Sequence, residues 1–187
     1  KNLGVTSDIP NRPAIALGAV EITVEEMVAA FSTFANEGVY IKPQLITRIE
    51  DKNGVVIYQG VEESHDVVNK DVAYSIIKLM EGVTESGTGS RLRWAASAPS
   101  NFLTGVPYNI KGPVAGKTGT SQNNSDGWFI GMVPNLAAGV WVGNEDRSAH
   151  FESTSMGQGA TTALPIYGIF MRKCLADKTL NISQQPF

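Results

Sequence analysis

The residue types that could do chemistry are concentrated in Ala115-Gly116-Lys117-Thr118-Gly119-Thr120, which runs on through Ser121-Gln122-Asn123-Asn124-Ser125-Asp126-Gly127-Trp128-Phe129. A lysine next to two threonines supports two different chemistries. In a Walker A loop, G-x-x-x-x-G-K-[ST], a strand delivers a glycine loop to a helix whose first amides hold phosphates. Gly112-Pro113-Val114-Ala115-Gly116-Lys117-Thr118 is one residue short of that spacing. The residues that follow, rich in Gly, Ser and Asn, are poor helix formers where the motif needs a helix. A nucleotide-phosphate cradle is therefore rejected. On a strand, alternation instead places Thr118 and Thr120 on one face and Lys117 and Gly119 on the other. Two hydroxyls so spaced can hold one carboxylate, and the Lys117 ammonium adds positive charge beside it. Gly119, lacking a Cβ, lets another element or an extended peptide come close. The Thr120 N–H is a candidate oxyanion-hole donor, a contact worth roughly 3–4 kcal/mol in acyl transfer. An isolated Lys-Thr-Gly is better explained as a solvated strand edge, so the surrounding sequence has to decide.

The elements that would position this hexapeptide can be read from pattern and punctuation. Three β-type runs, Val114 to Thr120, Gly127 to Val133 and Ala137 to Gly143, are joined by connections too short for a parallel crossover, which predicts antiparallel neighbours. Upstream, Thr23-Val24-Glu25-Glu26 has the capping-box pattern, and Met27, Val28, Phe31, Phe34 and Ala35 follow on one helical face before Gly38. This predicts a helix over 24–36. Asp51-Lys52-Asn53-Gly54, between Gln44–Glu50 and Val55–Tyr58, predicts a β-hairpin. A second helix, from Asp71 to about Val83, is expected from the stripe Val72, Ala73, Ile76, Ile77, Met80 and Val83. Residues 85–111 read as mostly loop, entered through Gly87-Thr88-Gly89, which either shapes a cleft rim or makes a plain turn. A last helix is expected over 162–176, with Pro165 tolerated in its first turn and Arg172, Lys173 and Lys178 suited to its negative end. The fold class implied is α+β, an antiparallel sheet flanked by helices.

Composition excludes several classes of function. With 187 residues, 42% hydrophobic and 18% charged, the chain suits one ordinary domain able to bury a core. A net charge of −3 leaves no basic stripe for nucleic-acid phosphates, and no apolar run is long enough to span a bilayer. Nucleic acid is therefore not an expected partner. Cys174 is the only cysteine, which fits a reducing compartment or an exported bacterial protein that does without disulfides. His65 and His150 lie far apart, with no cysteine or carboxylate cluster at metal spacing, so they read as surface histidines and no metal or cofactor is implied. Trp128, Phe129 and Trp141 read as sheet core. Cys174, one helical turn after Phe170, reads as a buried small hydrophobe.

The resemblance that settles the hexapeptide extends over most of the chain, in order: ALGAVEITVEEMVAAFSTFANEGVYIKPQLI at Ala16 to Ile46, GTG at Gly87 to Gly89, AGKTGTSQNNSDGWFIGMVPNLAAGVWVGNED at Ala115 to Asp146, and ALPIYGIFM at Ala163 to Met171. The sequence resembles the C-terminal part of the transpeptidase domain of class A penicillin-binding proteins, the bifunctional peptidoglycan synthases. The fold this implies is the one shared by penicillin-binding transpeptidases and serine β-lactamases. Within it, residues 1–187 would form one C-terminal portion with a hairpin insertion at about 43–60, a three-strand meander at about 113–143 bearing the KTG motif, and a terminal helix at about 162–176. The resemblance implies an enzyme of the bacterial cell envelope, on the extracytoplasmic face of the inner membrane, with its membrane anchor outside this chain. It would cross-link stem peptides through a serine acyl-enzyme formed at a D-Ala-D-Ala terminus, and β-lactam antibiotics would acylate the same serine. Carried over by position, Lys117 is the motif lysine at the cleft, Thr118 and Thr120 bind the substrate carboxylate with Gly119 between them, and the Thr120 amide completes the oxyanion hole.

The family set is S-x-x-K, then S-x-N, then K-T-G, with the first serine as nucleophile. Ser75-Ile76-Ile77-Lys78 and Ser121-Gln122-Asn123 match the first two patterns in letters. On the helical wheel, however, Ser75 and Lys78 project opposite the apolar stripe, whereas an activated nucleophile needs a sheltered site with its base beside it. Ser121 to Asn123 follows the KTG strand directly and cannot also form a separate wall. With neither candidate suitable, the expectation is that the nucleophile, its lysine and the S-x-N wall lie N-terminal to Lys1 in a parent protein or on another polypeptide; an opening at Lys1 without a methionine or signal peptide fits a processed or excised part of something longer. Two alternatives stand beside this reading. A β-lactamase-related fragment is disfavoured by the long N-terminal match, the hairpin and the Trp-rich strands. A non-catalytic binding or scaffold module would keep the cleft wall without chemistry. Acylation by labelled penicillin separates all three.

Overall fold

A computed structural model describes residues 1–18, 20–95 and 107–187. After a 3-10 turn at Pro13–Leu17, α1 spans Val24–Ala35. Its capping box forms as the sequence predicts: the Glu26 N–H donates to Thr23 Oγ1 at 3.1 Å, and the Thr23 N–H donates to Glu26 Oε2 at 3.1 Å. The helix stops where Gly38 takes φ +93° and donates its N–H to the Thr33 carbonyl at 2.8 Å. A Cβ there would sit 2.1 Å from the Val68 carbonyl oxygen. The most deeply buried residues of α1 are Ala29, Ala30 and Thr33, while the predicted face of larger residues is half-buried.

β1 (Val39–Ile41) pairs antiparallel with β4 (Ser64–Asp66), and between them β2 (Arg48–Glu50) pairs antiparallel with β3 (Val56–Gln59). The β2–β3 turn is built by Asp51, whose side chain accepts N–H bonds from Asn53 at 2.8 Å and Val55 at 2.9 Å, with Gly54 at φ +83°. Those donors hold the Asp51 carboxyl below its ordinary range. The first strand is shorter than the run 44–50 suggests, and the pairing of β1 with β4 carries no signal in the sequence, because these three-residue strands are far apart along the chain.

α2 spans Lys70–Glu85, with the Asn69 side chain accepting the Val72 N–H at 2.8 Å. Its buried stripe is Ala73, Ile77, Met80, Glu81 and Thr84, whereas Val72, expected in the core, is exposed. Thr84 earns its burial by donating to the Val114 carbonyl. A 3-10 turn at Ser90–Arg93 follows, and the part of the expected loop at 96–106 lies outside the described residues.

β5 (Ala115–Thr120), β6 (Asp126–Val133) and β7 (Leu136–Gly143) form one antiparallel sheet in the order β5-β6-β7. Cross-strand partners Ala115 and Met132 face Ile77 and Met80 of α2, and a Cβ at Gly139 would meet Val28 of α1. A one-turn α3 (Thr154–Gly157) leads into α4 (Ala163–Ala176), which covers the opposite face. There Phe129 and Tyr167 meet with ring centroids 4.8 Å apart, within a core that includes Val114, Leu164 and Met171. Leu92, Tyr108 and Ile110 fill the same core, so the described parts of the expected loop are structural. Of the three aromatics expected in the sheet core, only Phe129 is fully buried. Trp128 is half-buried, and Trp141 is 39% exposed with its Nε1–H donating to Asp126 at 3.2 Å. Cys174 is buried as expected, but with Tyr167 and Met171, since Phe170 points outward.

Candidate functional site

The phase of the β5–β6 ladder decides what β5 offers to a ligand. Below the strand end, the Ser121 N–H donates to the Asp126 carbonyl at 3.0 Å. In an antiparallel ladder, bonded and non-bonded pairs alternate. With the observed register of Gly119 with Trp128 and Lys117 with Ile130, residues 117 and 119 direct both peptide groups toward β6. Thr118 and Thr120 therefore direct their N–H and C=O groups away from β6, along the edge that no strand among the described residues covers. The Lys117 ammonium donates to the Thr118 carbonyl at 2.7 Å, which that outward orientation permits.

The side chains of the hexapeptide are held by three other elements. Thr118, half-buried, has its hydroxyl 2.7 Å from the Thr88 hydroxyl. Thr120, exposed at the strand end, accepts the Gly159 N–H on Oγ1 at 3.2 Å, leaving its own proton to be donated elsewhere. Gly159 can reach that position only without a side chain, because a Cβ would lie 2.2 Å from the Trp128 carbonyl oxygen and 2.4 Å from that of Gly119. Gly119 is itself in close contact with the Trp128 side chain, where a Cβ would come within 3.0 Å. The start of the strand is anchored by Arg93, whose guanidinium donates to the carbonyls of Ile110 and Gly112. The edge thus carries one exposed ammonium, two hydroxyls and two outward peptide groups, a donor-rich set suited to an anionic, extended ligand.

Sequence reasoning places Lys117, Thr118, Gly119 and Thr120 on an extended strand, with both hydroxyls on one side. It leaves Gly87-Thr88-Gly89 between a cleft rim and a plain turn. The contact between Thr88 and Thr118 spans thirty positions and has no signal in local pattern. The two remaining motif-like stretches do not join the site. The exposed Ser75 bonds back through its hydroxyl to the Asp71 carbonyl at 2.8 Å, and the exposed Lys78 reaches over to pair with the buried Glu81 at 2.6 Å. That carboxylate raises the Lys78 pKa, the opposite of what a general base needs. Ser121 is spent in the turn, accepting the Asp126 N–H at 2.9 Å. A cavity of about 420 Å³ elsewhere, between α1 and residues 41–47, has apolar lining from Val28, Ala29 and Ile41 and polar lining from Glu25, Lys42 and Glu62. Among the described residues no helix is long and apolar enough to cross a membrane, and no group of three metal-ligating side chains occurs.

Comparison with known proteins assigns the chain to a family. Residues 10–164 match the penicillin binding protein transpeptidase domain. The chain is 33% identical over 159 residues to penicillin-binding protein 1A of Aquifex aeolicus, covering 85% of this chain and 19% of that protein. It is 31% identical over 186 residues to penicillin-binding protein 2D of Bacillus subtilis, covering all of this chain and 25% of that protein. The chain thus spans about a fifth to a quarter of the length of these relatives. The fold matches penicillin-binding protein 1A from Haemophilus influenzae with a TM-score of 0.81 at 21% identity, over 100% of this chain and 31% of that one. It also matches PonA1 from Mycobacterium tuberculosis in complex with penicillin V, with a TM-score of 0.74 at 22% identity, over 100% of this chain and 50% of that one.

Proposed function

The chain belongs to the penicillin-binding protein transpeptidase family, and from that premise we propose that β5 is the carboxylate-binding and oxyanion-stabilising wall of a peptidoglycan D,D-transpeptidase. One observation carries the proposal: Thr118 and Thr120 turn their peptide groups to the uncovered edge, with the Lys117 ammonium alongside.

In this reading a stem peptide ending in D-Ala-D-Ala lies along β5. Its terminal carboxylate accepts hydrogen bonds from the Thr118 and Thr120 hydroxyls, Lys117 adds positive charge, and Gly119, without a Cβ, lets the strand between the two threonines lie close against Trp128. A serine attacks the carbonyl between the two D-alanines, the C–N bond breaks, D-alanine leaves, and the acyl group remains on the serine. The amine of a neighbouring stem then displaces the serine oxygen and forms the cross-link. During each attack the carbonyl oxygen gains negative charge, which the outward Thr120 N–H stabilises without reorganisation. A β-lactam presents a carboxylate and a strained amide in a similar arrangement, and so acylates the same serine without a leaving group that departs.

The nucleophilic serine, its lysine and the S-x-N wall belong, in this proposal, to polypeptide outside residues 1–187, as does a membrane anchor that holds the enzyme at the extracytoplasmic face of the inner membrane. The exposed, carbonyl-bonded Ser75 and the ion-paired Lys78 support this division. Fluorescent penicillin tests it. Residues 1–187 alone are expected to remain unlabelled, and labelling is expected when the serine-bearing segment is supplied. Covalent label on Ser75 of the isolated chain would overturn the division.

A further inference from the structure

The segment after α2 is shaped around one hydroxyl. Gly87 donates its N–H to the Gly82 carbonyl at 3.1 Å and Gly89 donates to the Val83 carbonyl at 2.9 Å, so residues 87–89 fold back across the last turn of the helix. A Cβ on Gly87 would come within 2.8 Å of Val83 Cα and 2.9 Å of its carbonyl oxygen. One on Gly89 would lie 3.2 Å from that same oxygen and 3.5 Å from the Phe129 ring. This tight fold brings the exposed Thr88 to the edge of β5, with its hydroxyl 2.7 Å from that of Thr118.

The direction of that hydrogen bond follows from the ligand. A hydroxyl has one proton and two lone pairs, and a carboxylate can only accept. If Thr118 gives its proton to a carboxylate, the contact with Thr88 must run the other way, with Thr88 donating and Thr118 accepting. We propose that Thr88 is a positioning residue for this subsite: its hydroxyl donates to Thr118 Oγ1, directs the Thr118 proton outward, and strengthens the bond that Thr118 makes to the ligand carboxylate. Consecutive hydrogen bonds polarise one another in this sense. Thr120 has the equivalent support from the Gly159 amide at 3.2 Å, so each hydroxyl of the pair is fed by one donor from a neighbouring loop. The inference rests on the carboxylate-binding reading given above.

The test compares acylation of the full-length protein by benzylpenicillin and by its methyl ester, the same lactam with the carboxylate neutralised. Thr88→Val should lower the second-order acylation rate with benzylpenicillin about tenfold, the scale of one hydrogen bond acting on a charged acceptor. The rate with the ester should stay within about twofold of the parent, and Thr88→Ser should restore the benzylpenicillin rate, because only the hydroxyl matters. Because Thr88 acts through Thr118, the double variant Thr88→Val/Thr118→Val should be no slower than Thr118→Val alone. An unchanged Thr88→Val rate beside an impaired Thr118→Val overturns the role of Thr88 and leaves the carboxylate reading standing. Equal losses on acid and ester, or additive losses in the double variant, also overturn it, by pointing to a structural role. An unimpaired Thr118→Val removes the carboxylate reading itself.

Discussion

The sheet β5–β7 and the ribbon β2–β3 are both antiparallel, and both place apolar residues in runs closed by polar turns. Yet the sheet is covered by helices on both faces, with Phe129 at 0% exposure, while every residue of β2 and β3 is exposed. Ile49, Val56, Ile57 and Tyr58 face solvent, as does Leu45 just upstream. The difference teaches that strand formation and core formation are separate events. The ribbon is held by its Asp51 turn and its ladder, both local, whereas the sheet draws its stability from Leu92, Tyr108 and Tyr167, which reach it from distant parts of the chain. The edge proposed to bind substrate belongs to the second kind of strand, where packing on both faces fixes the backbone and no described strand pairs with the outer border of β5.

Four measurements would break or sharpen that contrast. Phe129→Ala removes a ring packed on Tyr167 and should cost about 3–5 kcal/mol in denaturant unfolding, the range for a large side chain in a well-packed core; a loss below about 1 kcal/mol would place the sheet in the same class as the ribbon. Lys117→Ala and Thr120→Ala, in the complete protein, should each lower penicillin acylation about 10- to 100-fold, as expected for a lost contact to a charged group, with little change in unfolding. Near-normal acylation in both would contradict the roles given to this edge.

The third concerns acid. Glu26 accepts hydrogen bonds from the side chains and amides of Ser7 and Thr6 as well as from Thr23, and these hold its pKa well below the ordinary glutamate value of 4.5. A depressed folded-state pKa means that the carboxylate's contribution is present above the ordinary value and is lost as pH falls below it toward the lowered one. Amide exchange, corrected for its intrinsic pH dependence, should therefore accelerate at Thr6 and Ser7 in acid while β6 stays protected, and Glu26→Gln should show the loosened N-terminal segment already at neutral pH. Uniform behaviour of both segments would deny that the segment is tethered separately from the sheet. The smallest effect is expected at the ribbon, where Ile57→Thr should shift stability by no more than about 0.5 kcal/mol; a larger loss would reveal a burial of the ribbon that the fold does not display.

Much of the local structure of both regions is legible in the sequence. The capping box at Thr23 and Glu26, the Asp51–Gly54 turn and the antiparallel order of β5, β6 and β7 follow from spacing and turn chemistry, and all are present in the fold. The extended state of Lys117 to Thr120 was also implied, because Gly, Ser and Asn after the lysine deny it a helix. Exposure was harder to read. Val72 and Phe170 sit on apolar faces by helical period yet face outward, and Trp141 belongs to a sheet strand yet lies at the surface. A periodic stripe states which residues share a face, and leaves open how much of that face is covered.

What the sequence by itself determined is set by chemistry within a few residues: the capping box of α1, the Asp51–Gly54 turn, the longer helices, the three strands of the main sheet, and the alternation that groups Thr118 with Thr120. Only the tertiary structure decided which strand border stays uncovered, which faces are sealed, and that Thr88 and Gly159 come to the two threonine hydroxyls. The reason is one of range. Backbone torsions and neighbouring hydrogen bonds are specified by adjacent side chains, whereas a contact across thirty or more positions exists only once the intervening chain has packed into place.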